Sequence, residues 1–169
     1  MSVLQILKYP DPRLKEKAQE VKEITKEIKK LVFDMVETMY AGRGVGLAAT
    51  QVGVPFRIII IDVDQLEKEP NPVICINPEI ISQEGKTKEE EGCLSVPGFT
   101  APVERFKKVV VRYLDIDGNT HEIVAEDFFA KAFQHEIDHL NGILFVDRLG
   151  RLRKQLFLKR YKKMMEEAL

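Results

Sequence analysis

Two of the three histidines in the chain, His135 and His139, lie four residues apart, and Glu136 directly follows the first. An α-helix turns by about 100° per residue, so positions i and i+4 lie on one face. Both imidazoles can therefore bind one cation, and Glu136 lies close enough to take a proton from a water molecule on it. The spacing predicts a hydrolytic metal site. The alternative is a polar helix face that carries two histidines without a metal.

A catalytic metal site of this kind needs a third protein ligand and leaves one position for water. One known pattern places a third histidine six residues after the second, but Phe145 occupies that position. A glutamate from a later helix is available at Glu166 or Glu167. His121, in a predicted hairpin strand, is another possibility.

Cys93 is the remaining candidate for the third ligand. Gly92 precedes it and permits a close backbone approach, and a thiolate would complete a site of two histidines and one cysteine. A buried free thiol, or a nucleophile activated by His135, fits the same sequence. Cys75 lies in an apolar segment, where we expect a small buried side chain.

Helical periodicity predicts two helices besides the one that carries the histidines. The first begins at Thr25, a good N-cap residue, and its apolar positions recur at helical spacing: Ile28, Leu31, Val32, Met35, Val36 and Met39. The last is amphipathic and spans residues 149–168. Asp127 opens the histidine helix, and a further short helix is predicted over residues 13–21.

Strand patterns occupy the middle of the chain. They predict strands over residues 57–63, 73–81 and 103–115, with Pro78 at a bend or edge of the second. Asp117-Gly118 predicts a hairpin turn into a strand over residues 120–125, and residues 84–91 form a charged loop or edge. The class is therefore α+β, with antiparallel or mixed sheets packed around a central metal-binding helix and a C-terminal helix. We find no repeat or linker and expect a single catalytic domain over residues 1–169.

Composition excludes several classes of protein. Hydrophobic residues make up 44% and charged residues 31% of the chain, as in ordinary globular proteins. The formal net charge of −1 argues against a DNA-binding protein. No apolar run is long enough for a membrane span, and the N-terminus lacks the pattern of a signal peptide. We therefore expect a cytoplasmic protein whose two cysteines are thiols.

Three segments together resemble the conserved boxes of the peptide deformylases. Residues 44–51 (GVGLAATQ) are similar to the family's Gly-x-Gly-Leu-Ala-Ala-x-Gln box, residues 91–95 (EGCLS) to its second box and residues 134–142 (QHEIDHLNG) to its third. The opening residues 9–14 (YPDPRL) are also similar. The resemblance covers nearly the whole chain in the family's order and spacing.

The resemblance implies a metal-dependent hydrolase that removes the formyl group from the formyl-methionine of nascent polypeptides and releases formate. Cys93, His135 and His139 would hold the metal, usually ferrous iron (Fe²⁺), with Zn²⁺, Ni²⁺ or Co²⁺ as substitutes. The metal would convert its water to hydroxide, which attacks the formyl carbon, while Glu136 acts as general base and then general acid.

The resemblance also assigns the groups that contact the substrate. The side-chain amide of Gln51 and the backbone N–H of Leu94 would donate to the oxygen that gains negative charge. Backbone groups near Val45, Gly46 and the 97–99 segment could pair with the peptide as an added strand. We expect the substrate to contact Val45, Gly46, Gly98, Phe99, Phe128 and Ala132, and the methionine side chain to enter a pocket of Leu94, Val45, Phe128 and Ala132. Some members carry an arginine after the cysteine, where this chain has Gly98-Phe99-Thr100.

The last predicted helix is rich in basic residues. An apolar stripe on the core with a solvated basic face explains this pattern, and contact with ribosomal RNA is the alternative. A helical C-terminus resembles that of the bacterial type I form of the family, in which this helix is implicated in ribosome binding. The basic residues in and just before it are Arg148, Arg151, Arg153, Lys154, Lys159, Arg160, Lys162 and Lys163.

Overall fold

The computed structural model describes residues 2–64 and 69–168. Its α-helices are α1 (Lys26–Ala41), α2 (Asp127–Leu140) and α3 (Arg151–Glu167), and short 3-10 helices span Pro12–Lys15, Ala49–Val52 and Phe145–Arg148. The strands are β1 (Gly46–Ala48), β2 (Ile58–Ile61), β3 (Val73–Glu84), β4 (Thr87–Cys93), β5 (Val96–Arg105), β6 (Lys108–Leu114) and β7 (Thr120–Glu126). The α+β class predicted from the sequence is confirmed.

Helix α1 begins where the sequence predicts. The hydroxyl oxygen of Thr25 accepts a hydrogen bond from the backbone N–H of Ile28 at 3.2 Å, which satisfies one of the free donors of the first turn. Four of the six predicted apolar side chains are buried, and Leu31 and Val36 are half-buried. The helix therefore packs through the predicted face.

The main sheet is antiparallel and has the order β1-β2-β3-β6-β7. Strand β2 consists of four isoleucines that are fully buried on both faces. Ile58 and Ile60 pack into the cluster that contains the apolar face of α1, while Ile59 and Ile61 pack with Phe133 of α2. Because successive side chains of a strand point to opposite faces, α1 and α2 cover opposite sides of the sheet.

Two other local predictions for the strands are confirmed. The pairing of β3 with β6 shifts register between Ile76 and Glu79, so Pro78 lies at a bend as predicted. Gly118, with φ of 84°, forms the turn of the β6–β7 hairpin.

The prediction of a short helix over residues 13–21 is wrong. Residues 13–21 form no α-helix: the 3-10 turn ends at Lys15, and Gln19 then exchanges backbone hydrogen bonds with Pro55 and Arg57. The helix prediction fails because Gln19 pairs with Pro55 and Arg57, which lie far along the chain, where local patterns carry no signal. Of the two alternatives for residues 84–91, a charged loop or an edge, the edge is confirmed for residues 87–91, which lie in strand β4 and pair with β5 alone in a separate two-stranded sheet.

Helix α3 packs against the rest of the molecule through Phe157 and Tyr161, which confirms the predicted C-terminal helix. Both side chains belong to a core cluster that also contains Leu7, Val96 and Phe145. Within the described residues, no helix is both long and apolar enough to cross a membrane.

Candidate active site

Helix α2 carries both histidines of the predicted motif. It is buried from Ala130 to Leu140, with Phe133, Ile137 and Leu140 in the core cluster against the main sheet. The rings of His135 and His139 lie with their centroids 5.1 Å apart, as expected for neighbours one turn apart on a helix.

Cys93 lies at the end of β4 and reaches the histidines. Its Sγ is 3.3 Å from Nε2 of His139, and one ligand atom from each of Cys93, His135 and His139 lies within 4.8 Å of the others. The backbone N–H of Ser95 donates to the same sulfur at 3.4 Å. In residues 2–64 and 69–168, no other group of His, Cys, Asp and Glu has this arrangement.

The other candidates for a third ligand lie elsewhere. Nε2 of His121 is 2.6 Å from a carboxylate oxygen of Asp115 on the exposed β6–β7 hairpin. Glu166 and Glu167 end α3 and are exposed. Cys75 is fully buried, as expected, and burial raises the pKa of its thiol.

A buried network of charges orients His135. Its Nδ1 lies 2.9 Å from Oε1 of Glu91, so a proton there leaves Nε2 free as a ligand. Arg105 donates to Glu91 at 2.8 and 2.9 Å and to Oδ2 of Asp138 at 2.6 Å, and Arg148 donates to both carboxylate oxygens of Asp138. Burial opposes the charge of Glu91, but the hydrogen bonds from Arg105 and His135 outweigh it and lower the pKa to about 2.

The residues of this network were not predicted from the sequence. Glu91 lies in the same box as Cys93, and Asp138 lies in the same box as His135 and His139. These acidic residues near the candidate ligands were the available signal. Arg105 had no such signal, since it bonds to residues 14 and 33 positions away.

Glu136 is buried beside the histidines with one carboxylate oxygen unpaired. Its Oε1 has no hydrogen-bond partner among the described residues. The side chain lies against Gly46, where even a Cβ atom would collide with Oε2. Burial raises the pKa of Glu136 to about 7, which suits a group that accepts and returns a proton near neutral pH.

Gln51 connects the glycine-rich segment to the cysteine segment. Its Oε1 accepts from the N–H of Ala48 at 2.9 Å, while its Nε2 donates to Oγ of Ser95 at 3.1 Å and to Sγ of Cys93 at 3.5 Å. The buried amide is therefore held beside the sulfur of Cys93.

A cavity of about 550 Å³ opens at this point. Gln51, Cys93, Leu94, His135 and Glu136 line it, as do six residues predicted to contact the substrate: Val45, Gly46, Gly98, Phe99, Phe128 and Ala132. Its wall also contains basic residues that were not predicted from the sequence to contact the substrate: Lys8, Arg43 and Lys131. The volume is in the usual range for a small-ligand site.

The residues present fit a divalent metal. A thiolate and two imidazoles are a common ligand set for zinc and other first-row metals. Burial opposes a positive charge on His135, but Glu136, Cys93 and Glu91 outweigh it and hold the pKa of His135 well above its ordinary value. Burial and the nearby charge of His135 lower the pKa of His139. The surroundings thus favour positive charge at His135, where a metal would compete with a proton.

The sequence is similar to those of known peptide deformylases. The family model described as polypeptide deformylase matches residues 3–155. The peptide deformylase of Thermodesulfovibrio yellowstonii is 48% identical over 162 residues, 96% of this chain and 98% of that relative. The peptide deformylase of Endomicrobium trichonymphae is 50% identical over 163 residues, 96% of each chain.

Solved structures agree with this similarity. A crystal structure of a peptide deformylase from Legionella pneumophila superposes with a TM-score of 0.92 at 41% identity, covering 99% of this chain and 98% of that one. The peptide deformylase of Ehrlichia chaffeensis in complex with actinonin gives a TM-score of 0.90 at 42% identity, with 97% and 98% covered. This chain therefore belongs to the polypeptide deformylase family, metal-dependent hydrolases that remove the formyl group from nascent polypeptides.

Proposed function

We propose that Cys93, His135 and His139 hold one divalent metal, at which this chain hydrolyses the N-formyl group of formyl-methionyl peptides and releases formate. One observation carries the proposal: three ligand atoms within 4.8 Å of one another lie beside a buried carboxylate with an unpaired oxygen. We further propose that residues 1–169 act as a single catalytic domain.

Glu136 moves the proton in this reaction. When bound, the metal acts as a Lewis acid that activates water and polarises the formyl group. Glu136 accepts the water proton on its unpaired Oε1 and returns a proton to the departing amine. A pKa of about 7 supports both roles, because the carboxyl group then gains and loses a proton easily at neutral pH.

Gln51 and Leu94 stabilise the negative charge that develops on the formyl oxygen. Nε2 of Gln51 exchanges one of its present acceptors, Ser95 Oγ or Cys93 Sγ, for that oxygen. The backbone N–H of Leu94 is the second donor. Each donor of this type contributes up to ~3 kcal/mol to lowering the barrier.

The peptide binds as an extended strand along the cavity. Strand β1, which contains Gly46, is an edge of the main sheet, and β5, which contains Gly98 and Phe99, pairs with β4 alone. Both strands thus have an edge that can pair with a peptide backbone. The methionine side chain packs among Val45, Leu94, Phe128 and Ala132, and the 43% exposure of Phe128 supports an apolar surface for it.

We propose ferrous iron as the native metal. Thiolate and imidazole ligands accept Fe²⁺ as well as Zn²⁺, Ni²⁺ or Co²⁺. A thiolate on Fe²⁺ is exposed to oxidation, so the iron form should lose activity in air faster than the nickel form. Equal half-lives of the two forms in aerated buffer would contradict this expected oxidative inactivation.

The cytoplasm is the proposed compartment, and the ribosome the proposed partner. Both cysteines are free thiols, as a reducing compartment favours. Lys159, Arg160, Lys162 and Lys163 lie exposed on α3, while Phe157 and Tyr161 fix the helix to the core. A basic surface held this way supports contact with ribosomal RNA near the emerging peptide.

The Cys93→Ala variant tests the ligand assignment. Loss of a thiolate ligand should remove both the bound metal and the release of formate from formyl-Met-Ala-Ser, measured by metal analysis and a coupled formate assay. A Cys75→Ala variant is the matched control, since Cys75 is buried away from the site. A Cys93→Ala protein that keeps metal and activity would refute the proposal.

A further inference from the structure

Residues 7–9 form hydrogen bonds with the two segments of the site that lie outside α2, those of Gln51 and of Cys93. The backbone N–H of Leu7 donates to the carbonyl of Gln51 at 2.7 Å, and the N–H of Tyr9 donates to the carbonyl of Ser95 at 2.7 Å. Between them, Nζ of Lys8 donates to the carbonyl of Leu94 at 2.8 Å. Residues 8 and 9 therefore bind the carbonyl groups of Leu94 and Ser95, the two residues that follow Cys93.

The Leu94–Ser95 peptide group joins Lys8 to the proposed metal ligand. Its carbonyl oxygen accepts from the ammonium of Lys8, and its N–H donates to Sγ of Cys93 at 3.4 Å. A peptide group is planar and conjugated, so a cation at the oxygen polarises the N–H on its other side. A stronger N–H donor at the sulfur then withdraws electron density from the thiolate and from any metal it binds.

We propose that Lys8 is a positioning residue that tunes the Cys93 thiolate through the Leu94–Ser95 peptide. The inference rests on the proposed role of Cys93 as a metal ligand. Lys8 itself need not touch the reacting atoms, although it lines the cavity. The same bond also fixes the chain direction after Cys93 and so orients the Leu94 N–H, the proposed donor to the formyl oxygen.

The anchor on the other side of residues 7–9 is built into the fold. The hydroxyl of Tyr161 on α3 donates to the carbonyl of Tyr9 at 2.9 Å, and the ring of Tyr9 packs on Phe157 and Tyr161. Leu7 is buried in the same core cluster. Lys8 thus projects from a backbone that is fixed before and after it, and substitution of its exposed side chain leaves these anchors intact.

The thiolate-to-metal charge-transfer absorption of the Co²⁺-loaded protein tests the proposal. Loss of the ammonium in Lys8→Met makes the sulfur a stronger electron donor, so this band should move to lower energy, while Lys8→Arg restores its position. Formate release should show a kcat about threefold lower in Lys8→Met, the size expected for one exposed charged contact, with KM changed little.

Lys17→Met is the matched control. Lys17 is exposed and has no hydrogen bond or ion pair with the described part of the chain. A band that stays in place in Lys8→Met, or moves equally in Lys17→Met, would overturn the proposal. If Lys8→Met fails to fold, Lys8→Gln, which removes the charge alone, must show the same shift. A wild-type cobalt protein without a thiolate band would instead refute Cys93 as a ligand, and this inference with it.

Discussion

Gly46 and Glu136 are in contact across the site, and the contact leaves no room for a side chain on Gly46. A Cβ there would collide with Oε2 of Glu136 and would lie 3.0 Å from its Cδ. The end of a glutamate side chain can move aside at small cost, so the fold tolerates the change. The proposed role of Glu136 as proton carrier, in contrast, depends on its present position.

Gly46→Ala should therefore keep its metal and its melting temperature but lose activity by about 100-fold, since displacements near 1 Å have such effects. The measurement is kcat/KM for formate release, with metal content determined on the same samples. Gly150→Ala is the control, because a Cβ at Gly150 meets no atom within 4 Å. Full activity in Gly46→Ala would show that the site does not depend on the present place of Glu136.

At the scale of elements, buried Arg105 of β5 joins β4 to α2. It donates to Glu91 of β4 and to Asp138 of α2, and Glu91 in turn orients His135. Removing one partner of such a network leaves unpaired charges in the interior.

Arg105→Met should lower the free energy of unfolding by about 3 kcal/mol or more and weaken metal binding by about 10- to 100-fold. Urea unfolding of the metal-free protein and a competitive metal titration measure the two effects. Arg112→Met removes an exposed ion pair with Glu122 and should change neither. Unaltered metal affinity in Arg105→Met would mean that the network does not orient His135.

Asp147 links the Pro12–Lys15 turn, the start of the Phe145–Arg148 turn and helix α3. It accepts from the N–H of Leu144 and from Lys154, each at 2.9 Å, and pairs with Lys15. Burial opposes its charge, but these hydrogen bonds outweigh burial and lower its pKa.

Because the pKa of Asp147 is lower in the folded than in the unfolded chain, its charge stabilises the fold above the unfolded value, about 3.9. Asp147→Asn should lower the free energy of unfolding by about 1 kcal/mol at pH 7. The difference from the wild type should shrink as the pH falls below about 4 and Asp147 becomes protonated in the fold. Chemical unfolding at a series of pH values measures this, and a difference that does not vary with pH would contradict it.

The sequence predicted those elements whose signals are local. The Thr25 cap, the Asp117-Gly118 turn and the spacing of His135 and His139 are all contained within a few residues. For residues 84–91 the sequence left a loop and an edge open, because their charged side chains carry no strand pattern of their own. Arg105 and Lys8 were not predicted as site residues, because each contacts the site across a long stretch of chain.

At the scale of the molecule, the site lies where α2, the main sheet and the β4–β5 sheet meet, while α3 covers the side that holds residues 7–9. The chain has a formal net charge of −1, yet the exposed face of α3 is basic. Phe157 and Tyr161 of this helix are buried in the core, whereas Lys159, Lys162 and Lys163 are exposed.

Replacing Lys159, Lys162 and Lys163 together by glutamine should thus leave formate release unchanged and weaken binding to ribosomes by about tenfold or more at low salt, with a smaller dependence on salt. Co-sedimentation at several salt concentrations measures the effect. The control replaces Lys17, Lys22 and Lys29, which are exposed elsewhere. Equal sedimentation of both variants and the wild type would exclude α3 as the contact.

The central claim is that Glu136 transfers the proton beside a metal held by Cys93, His135 and His139. The most direct test is formate release from formyl-Met-Ala-Ser by protein purified without oxygen, with metal content measured in the same samples for the wild type and Glu136→Gln. We predict about one metal per chain in both, and a kcat lower by about 10²- to 10⁴-fold in Glu136→Gln. Near wild-type turnover by Glu136→Gln with its metal bound would contradict the account.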